Sequence, residues 1–466
     1  MSVDAKKYVE DLVAKARAAQ KQIEFMSQEE VDDICARLTR SGTTDAFAKK
    51  ISELAVEESR MGNVPSKIGK MMVKVKGVYA QLKDAKTVGI IERDEELGLV
   101  KIAKPMGVIG ALIPVTNCEA TPFGKAISAI KTRNAIIMAP HPRSVKTGKL
   151  AADRMRTVLE RHGWPVDLVQ TLEKISVEIS GELMAQSDLI LATGGTPMVK
   201  AAYSSGKPAL GVGAGNAVTV IDVTANTDEV ADKIMRSNTF DFGTSCSTEN
   251  SCLVPESMVD QMKTSFEKVG GYMVPADEKP LLQKAYWPDG VHLNKDIVAQ
   301  STQRIAEIAG IKLPEGKTFF VVEESGIGEG FPFAGEKLSS CLAMYTYKNF
   351  DQAIDMVNRI TDFSGPGHSC GIHTTDKAKA IKLGEAVKVA RVMVNQPQAL
   401  ANSGAWTNGM PMSLTLGCGT WGGNSVSENV GYKHLMNTTW VSWPIPSTEP
   451  ALEDLFSKEV LDEVWD

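Results

Sequence analysis

Apolar positions along this chain recur first at helical spacing and then bunch into short runs. In the opening segment MSVDAKKYVEDLVAKARAAQ, Val9, Leu12, Val13 and Ala16 fall on one face of a helix. Ser27 and Glu30 have capping-box spacing ahead of Val31, Ile34, Cys35 and Leu38, which predicts a second helix. Further helices are expected over Asp45 to Arg60 and Lys67 to Asp84. The period then changes. Val88 to Pro105 holds two apolar runs around an acidic turn and predicts a β-hairpin.

From residue 107 onward, buried-type strands alternate with helices. GVIGALIPV, NAIIMAPHP, LVQTLE, DLILATGG and AVTVIDV (217–223) predict strands. TPFGKAISAIKTR, SVKTGKLAADRMRTVLERHG, SGELMAQS and TPMVKAAYSSG between them predict helices. Repeated βα units with near-continuous apolar strands imply a parallel sheet covered on both faces. A second βα-rich stretch runs from about Thr224 to Lys433. The apolar, Pro-bounded tail WVSWPIP (440–446) is expected to be an edge strand that pairs with another subunit, with the hairpin as its docking surface.

Composition sharpens this picture only at its edges. A chain of 466 residues with 43% apolar and 23% charged residues is ordinary for a globular protein of two to three domains. A net charge of −6 argues against nucleic-acid or anionic-membrane partners, while leaving room for a local basic pocket. Charges interrupt the N-terminal segment, so it lacks the apolar centre of a signal peptide, and no apolar run has the roughly 20 residues of a membrane span. Seven cysteines, an odd and scattered set, point to reduced thiols in the cytoplasm rather than to a disulfide framework.

Five segments bear on candidate chemistry. ATGG (192–195) lies between a strand and a helix, where free backbone N–H groups suit a phosphate; a tight turn without a ligand has the same pattern. GVGAGN (211–216) falls short of the G-x-G-x-x-G fingerprint, so an ordinary dinucleotide fold is not indicated. In FDFGTSCSTENS, Cys246 sits in a polar, Gly-led turn among Thr244, Ser245, Ser247 and Thr248. Such a turn can expose a thiol and lower its pKa through nearby N–H dipoles; Cys252 reads as core. HSCGIH (368–373) is better explained as a strand with Cys370 buried than as a metal site, with His368 on a loop facing a site. TLGCGTWGGNSVSENV (415–430) is glycine-rich enough to require close backbone approaches, either as loop lining or as the wall of a binding site.

Five ordered blocks, PMGVIGALIPVTN, KTRNAIIMAPHPR, ATGGTPMVKAAYSSGKPALGVGAGN, the Cys246 loop and TLGCGTWGGNSVSENVGYKHL, resemble the CoA-acylating branch of the aldehyde dehydrogenase superfamily. The resemblance spans roughly residues 5 to 440. It implies an α/β fold with a Rossmann-like cofactor domain (1–87 and 107–223), an α/β catalytic domain (224–433) and oligomerisation elements (88–106 and 434–466) that make a homodimer or homotetramer. It assigns Cys246 as nucleophile, Asn117 as oxyanion donor and His368 to the reacting centre. Thr116, Pro140, His141, Pro142, Arg143, Thr193, Gly194, Gly195, Gly213 and Glu336 would line the cofactor, with the 140–142 segment at the adenosine ribose and Glu336 at the nicotinamide ribose. No metal is implied. Arg143 and Lys146 either meet a 2′-phosphate, which favours NADP, or are solvated charges, which leaves NAD.

Hydrolytic members resemble E-L-G-G-K where this chain has Val212 to Asn216. Valine cannot act as a general base, so transfer to coenzyme A is expected in place of hydrolysis. A hydrolytic dehydrogenase and a catalytically silent scaffold are the rival readings, opposed by Val212 and by the intact Cys246 and Asn117 respectively. The hydroxyls of Thr244, Ser245 and Ser247, with Cys118 and Glu119 after Asn117 where proline is common, suggest a short anionic aldehyde. Sulfoacetaldehyde is the leading expectation, ahead of succinate semialdehyde. These hydroxyls would serve equally to cap a turn.

Overall fold

The computed structural model describes residues 4–465; Met1, Ser2, Val3 and Asp466, which the expected terminal segments include, lie outside them. The N-terminal layer is helical. Ala5–Ile23 buries Val9, Val13, Ala16 and Ile23. The next helix, Gln28–Gly42, starts at the expected capping box: Glu30 N–H donates to Ser27 Oγ at 3.2 Å and Ser27 N–H to Glu30 Oε2 at 2.8 Å. Asp45–Ser59 ends at Arg60, which is left-handed at φ 57°. The helix expected from Lys67 begins earlier, at Val64, because Asn63 caps it through Ser66 N–H. It runs to Leu82 and widens into a π-helix over Met71–Val75.

Two parallel sheets carry the rest. The first has five strands in the order Val169–Thr171, Ala135–Ala139, Val108–Leu112, Leu189–Thr193, Ala209–Val212. Val108–Leu112 comes first in the chain yet lies in the middle. Its neighbours therefore cross over in opposite directions, which opens a crevice at the strands' carboxyl ends. The second has seven strands in the order Gly271–Met273, Phe319–Glu323, Cys341–Tyr347, Glu249–Pro255, Ala217–Ile221, Cys370–His373, Val392–Val394.

One expectation needs correction here. The strand within 217–223 was expected to close the first domain, but Ala217–Ile221 is hydrogen-bonded between Glu249–Pro255 and Cys370–His373 of the second sheet. The first sheet closes instead on Ala209–Val212, a strand the apolar pattern did not reveal. The chain crosses between sheets at 213–216, where Asn216 Nδ2 donates to the carbonyls of Ala334 (2.8 Å) and Ile360 (3.2 Å). The tail strand Met436–Ser442 pairs through one edge with the chain's own hairpin, and its outer edge has no partner strand among the described residues. It runs antiparallel to Leu99–Pro105, whose other edge holds Gly89–Asp94. A free edge on the hairpin is thereby satisfied within one chain. Among the described residues, no helix is long and apolar enough to cross a membrane.

Candidate active site

A cavity of about 300 Å³, at the lower end of ligand-pocket size, opens where the ends of the two sheets meet. The first half contributes Ile113 to Asn117, Thr193 to Gly195 and Val212 to Ala214; the second contributes Thr244 to Ser247, Glu336 and the segment around Ser403. Thus Cys246, Asn117, Thr116, His141, Thr193, Gly194, Gly195, Gly213, Glu336, Thr244, Ser245 and Ser247 all reach one wall system. Pro140, Pro142 and Arg143 stand outside it. Pro140 is buried, and Arg143 donates to the Ser59 carbonyl. That contact gives Arg143 a structural partner, and Lys146 is exposed.

The Cys246 loop is held by an unusual backbone. After the helix Thr227–Thr239, Asp241 (φ 50°), Phe242 (φ 55°) and Gly243 (φ 71°) are all left-handed. For the two non-glycines this costs about 1–3 kcal/mol each. Asp241 is fully buried and offsets the strain through its carboxylate, which accepts from Asn63 N–H (2.8 Å), Thr244 Oγ1 (2.9 Å), Lys67 Nζ (3.1 Å) and Lys70 Nζ (2.5 Å). Burial pushes this carboxyl up, but the two ammoniums overcome that and hold it below its ordinary range. Thr244 therefore spends its hydroxyl on the loop, as the turn-capping alternative has it. Ser245 and Ser247 pair with each other at 3.0 Å, which leaves one hydroxyl proton for a ligand.

Asn117 ends the 3₁₀ turn that follows the central strand of the first sheet. Its Oδ1 accepts from Lys70 Nζ at 2.6 Å, so the amide must turn its NH₂ away from the lysine. Glu119, by contrast, is buried outside the cavity wall, 3.7 Å from Lys67 Nζ.

His368 is 1% exposed, and its Nε2 lies 3.1 Å from Cys246 Sγ; Nδ1 lies 2.9 Å from Ser369 Oγ. Burial, then the nearby Arg391, lower the imidazole to about 3, so it is neutral at rest and its Nε2 can accept a hydrogen bond from the thiol. Cys246 opens on the cavity, yet its sulfur is largely desolvated. Desolvation, with Glu336 and Cys418 adding to it, pushes the thiol up to about 12; Arg391 and the residue's own N–H oppose this and lose. The expected N–H contribution is present, but burial outweighs it in the resting site. Cys252 and Cys370 are buried strand residues, as expected.

Close packing explains two glycines. A Cβ on Gly215 would lie 1.9 Å from the Cys246 carbonyl oxygen, and one on Gly367 would lie 2.0 Å from that of Cys418. Arg391 ties these strands of the site together, donating to the carbonyls of Gly417 (2.6 Å) and His368 (3.1 Å) and to Asn429 Oδ1 (3.0 Å). Sequence reasoning missed Arg391, Asp241 and the lysines 67, 70 and 74. The lysines recur at i, i+3 and i+7, a helical stripe that ordinarily marks a solvated face.

A nicotinamide cofactor fits these residues. The helix Thr196–Tyr203 begins at Gly195 with no side-chain cap, leaving N–H groups free beside the cavity for a pyrophosphate. Glu336 is half-buried there, pushed up to about 8 by desolvation, with Gly215 N–H on Oε1 at 3.2 Å and Oε2 left for a ribose hydroxyl.

The sequence profile of the aldehyde dehydrogenase family matches residues 1–270. The chain is 45% identical to a sulfoacetaldehyde dehydrogenase of Acholeplasma sp, covering 95% of this chain and 92% of that protein. It is 42% identical to the acylating sulfoacetaldehyde dehydrogenase of Bilophila wadsworthia, covering 97% and 98%. Its fold matches the crystal structure of an acetylating aldehyde dehydrogenase from Geobacillus thermoglucosidasius with a TM-score of 0.92 at 37% identity, covering 96% and 98%. The chain belongs to the aldehyde dehydrogenase family.

Proposed function

We propose that the protein is a CoA-acylating aldehyde dehydrogenase using NAD or NADP. The observation that carries this reading is Val212, 3% exposed in the cavity wall where a hydrolytic enzyme of this fold needs a carboxylate base. Cys246 gives its proton to His368 Nε2 as the sulfur attacks the aldehyde carbon. The resulting oxyanion receives the Asn117 amide and the Cys246 N–H, and each such donor lowers the barrier by about 3 kcal/mol. The nicotinamide supplies the hydride acceptor when bound. The acyl group then remains on Cys246 as a thioester; His368 releases its first proton to solvent, takes that of an incoming thiol and returns it to the Cys246 sulfur as the acyl group departs. With valine at 212 in place of the carboxylate that activates water, coenzyme A is the acceptor.

The substrate we infer is a short anionic aldehyde, sulfoacetaldehyde first and succinate semialdehyde second. Its support is the Ser245–Ser247 hydroxyl pair and the likeness to the two sulfoacetaldehyde dehydrogenases. The enzyme works in the cytoplasm, where its seven free thiols stay reduced. The three-stranded sheet, with Ile90, Trp440 and Trp443 exposed, is the surface on which a homodimer or homotetramer would form. The test is kcat/KM for sulfoacetaldehyde, succinate semialdehyde, acetaldehyde and propionaldehyde, with coenzyme A and each cofactor. A preference for the neutral aldehydes would end the anionic reading; a preference for succinate semialdehyde would keep the anion and reject the sulfonate.

A further inference from the structure

The three lysines behind the active site do not have equal partners. Lys67 faces Asp241 and Glu119, and Lys70 faces Asp241. Lys70 also spends its remaining donors on Asn117 Oδ1 and the Thr116 carbonyl, so it is saturated. Lys74 is different. It is 6% exposed and lines the cavity, and among the described residues no carboxylate pairs with it. Its ammonium donates to the carbonyls of Leu400 (3.1 Å) and Gly404, which bracket Ser403 in the cavity wall. An ammonium has three donors, so one remains for a ligand. Burial and the adjacent Lys70 charge both disfavour its protonated form. An uncompensated buried cation is expensive, and an anion bound beside it removes that cost. Lys74 also lies on the π-helical turn, a distortion that recurs at functional sites.

We propose that Lys74 is the residue that recognises the substrate's anionic end, the third N–H and the charge being directed at a sulfonate or carboxylate oxygen. This rests on the anionic-aldehyde reading above and gives it a determinant. The neighbouring Ser403 and the Ser245–Ser247 pair supply neutral donors for the remaining oxygens. The free helix N-terminus at Gly195 already serves a pyrophosphate, which leaves Lys74 in the same cavity for the aldehyde's anionic end.

The test compares wild type, Lys74→Met and Lys74→Arg on sulfoacetaldehyde, succinate semialdehyde and propionaldehyde. In Lys74→Met, kcat/KM for both anionic aldehydes is expected to fall about 100-fold, the scale of removing one partner from a buried charge pair. Propionaldehyde turnover and KM for coenzyme A and cofactor should change less than about threefold. Lys74→Arg should recover part of the anionic activity. Propionaldehyde turnover also reports that the variant has folded. In wild type, ethanesulfonate should inhibit propionaldehyde oxidation competitively with the aldehyde, which needs no variant. If wild type prefers anionic aldehydes and Lys74→Met keeps that preference, the assignment of Lys74 is wrong while the substrate reading stands. If wild type has no anionic preference, both fall. Inhibition by ethanesulfonate that is not competitive with the aldehyde also overturns the assignment.

Discussion

Lys70 Nζ donates to Asn117 Oδ1 at 2.6 Å while the same ammonium is pinned by Asp241, whose strained backbone starts the Cys246 loop. The oxyanion donor and the nucleophile are therefore oriented through one buried ion pair. Lys70→Met should lower kcat for acyl-CoA formation by about 100-fold, in the range of losing an oxyanion donor. Asn117→Ala should do the same, and the double variant should be little worse than either single one, because the two residues act as a unit. Additive losses in kcat would show that Lys70 does not act through Asn117.

Cys246 and His368 define a second expectation. With the thiol at about 12 and the imidazole at about 3, the resting pair is a neutral thiol beside a neutral imidazole. Alkylation of Cys246 by iodoacetamide, followed by mass spectrometry on its peptide, should rise about tenfold per pH unit and keep rising above pH 9, where an ordinary thiol begins to level off. A plateau near neutrality would reveal a preformed thiolate–imidazolium pair and contradict this.

Glu336 carries a pH signature in stability. Its folded-state pKa, raised by burial from 4.5 to about 8, means that stability present below the unfolded value is lost as pH rises through the folded one. Glu336→Gln lacks that loss. Between about pH 5 and 8, the melting temperature of Glu336→Gln should therefore gain on that of wild type as pH increases. A difference independent of pH would mean that this carboxyl is already ionised in the folded protein.

Gly215 tests the packing beneath the nucleophile. In Gly215→Ala the new Cβ meets the Cys246 carbonyl oxygen, so the loop must move. A misplacement of about 1 Å costs on the order of 100-fold in rate. Acyl-CoA formation should fall by that factor in a protein that remains folded by circular dichroism. Near-normal activity would show that the loop tolerates displacement.

Much of this architecture was legible because apolar runs and helical stripes report burial directly. The Ser27–Glu30 box, the hairpin and the alternating elements between 107 and 205 follow from such patterns. Cys246, Asn117, Glu336 and the 193–195 turn converge on one cavity because their motif blocks constrain backbone and chemistry together. Sheet membership was not legible: Ala217–Ile221 is buried on both faces and would read the same in either sheet. Ala209–Val212 is too short and glycine-broken to stand out. For the tail, an aromatic extended segment specifies that it needs an edge, and the hairpin supplies one. The lysine stripe at 67, 70 and 74 misleads for a further reason. Lysines at helical spacing usually face water, and only the distant segments at 241 and 399–404 bury these.

The most direct test of the acylating mechanism is reduced-cofactor absorbance during aldehyde oxidation, followed with and without coenzyme A. Without coenzyme A, formation should stop after about one equivalent per active site, the acyl group remaining on Cys246, and should resume when coenzyme A is added. Sustained turnover to the carboxylate without coenzyme A would contradict the account and place the protein among the hydrolytic aldehyde dehydrogenases.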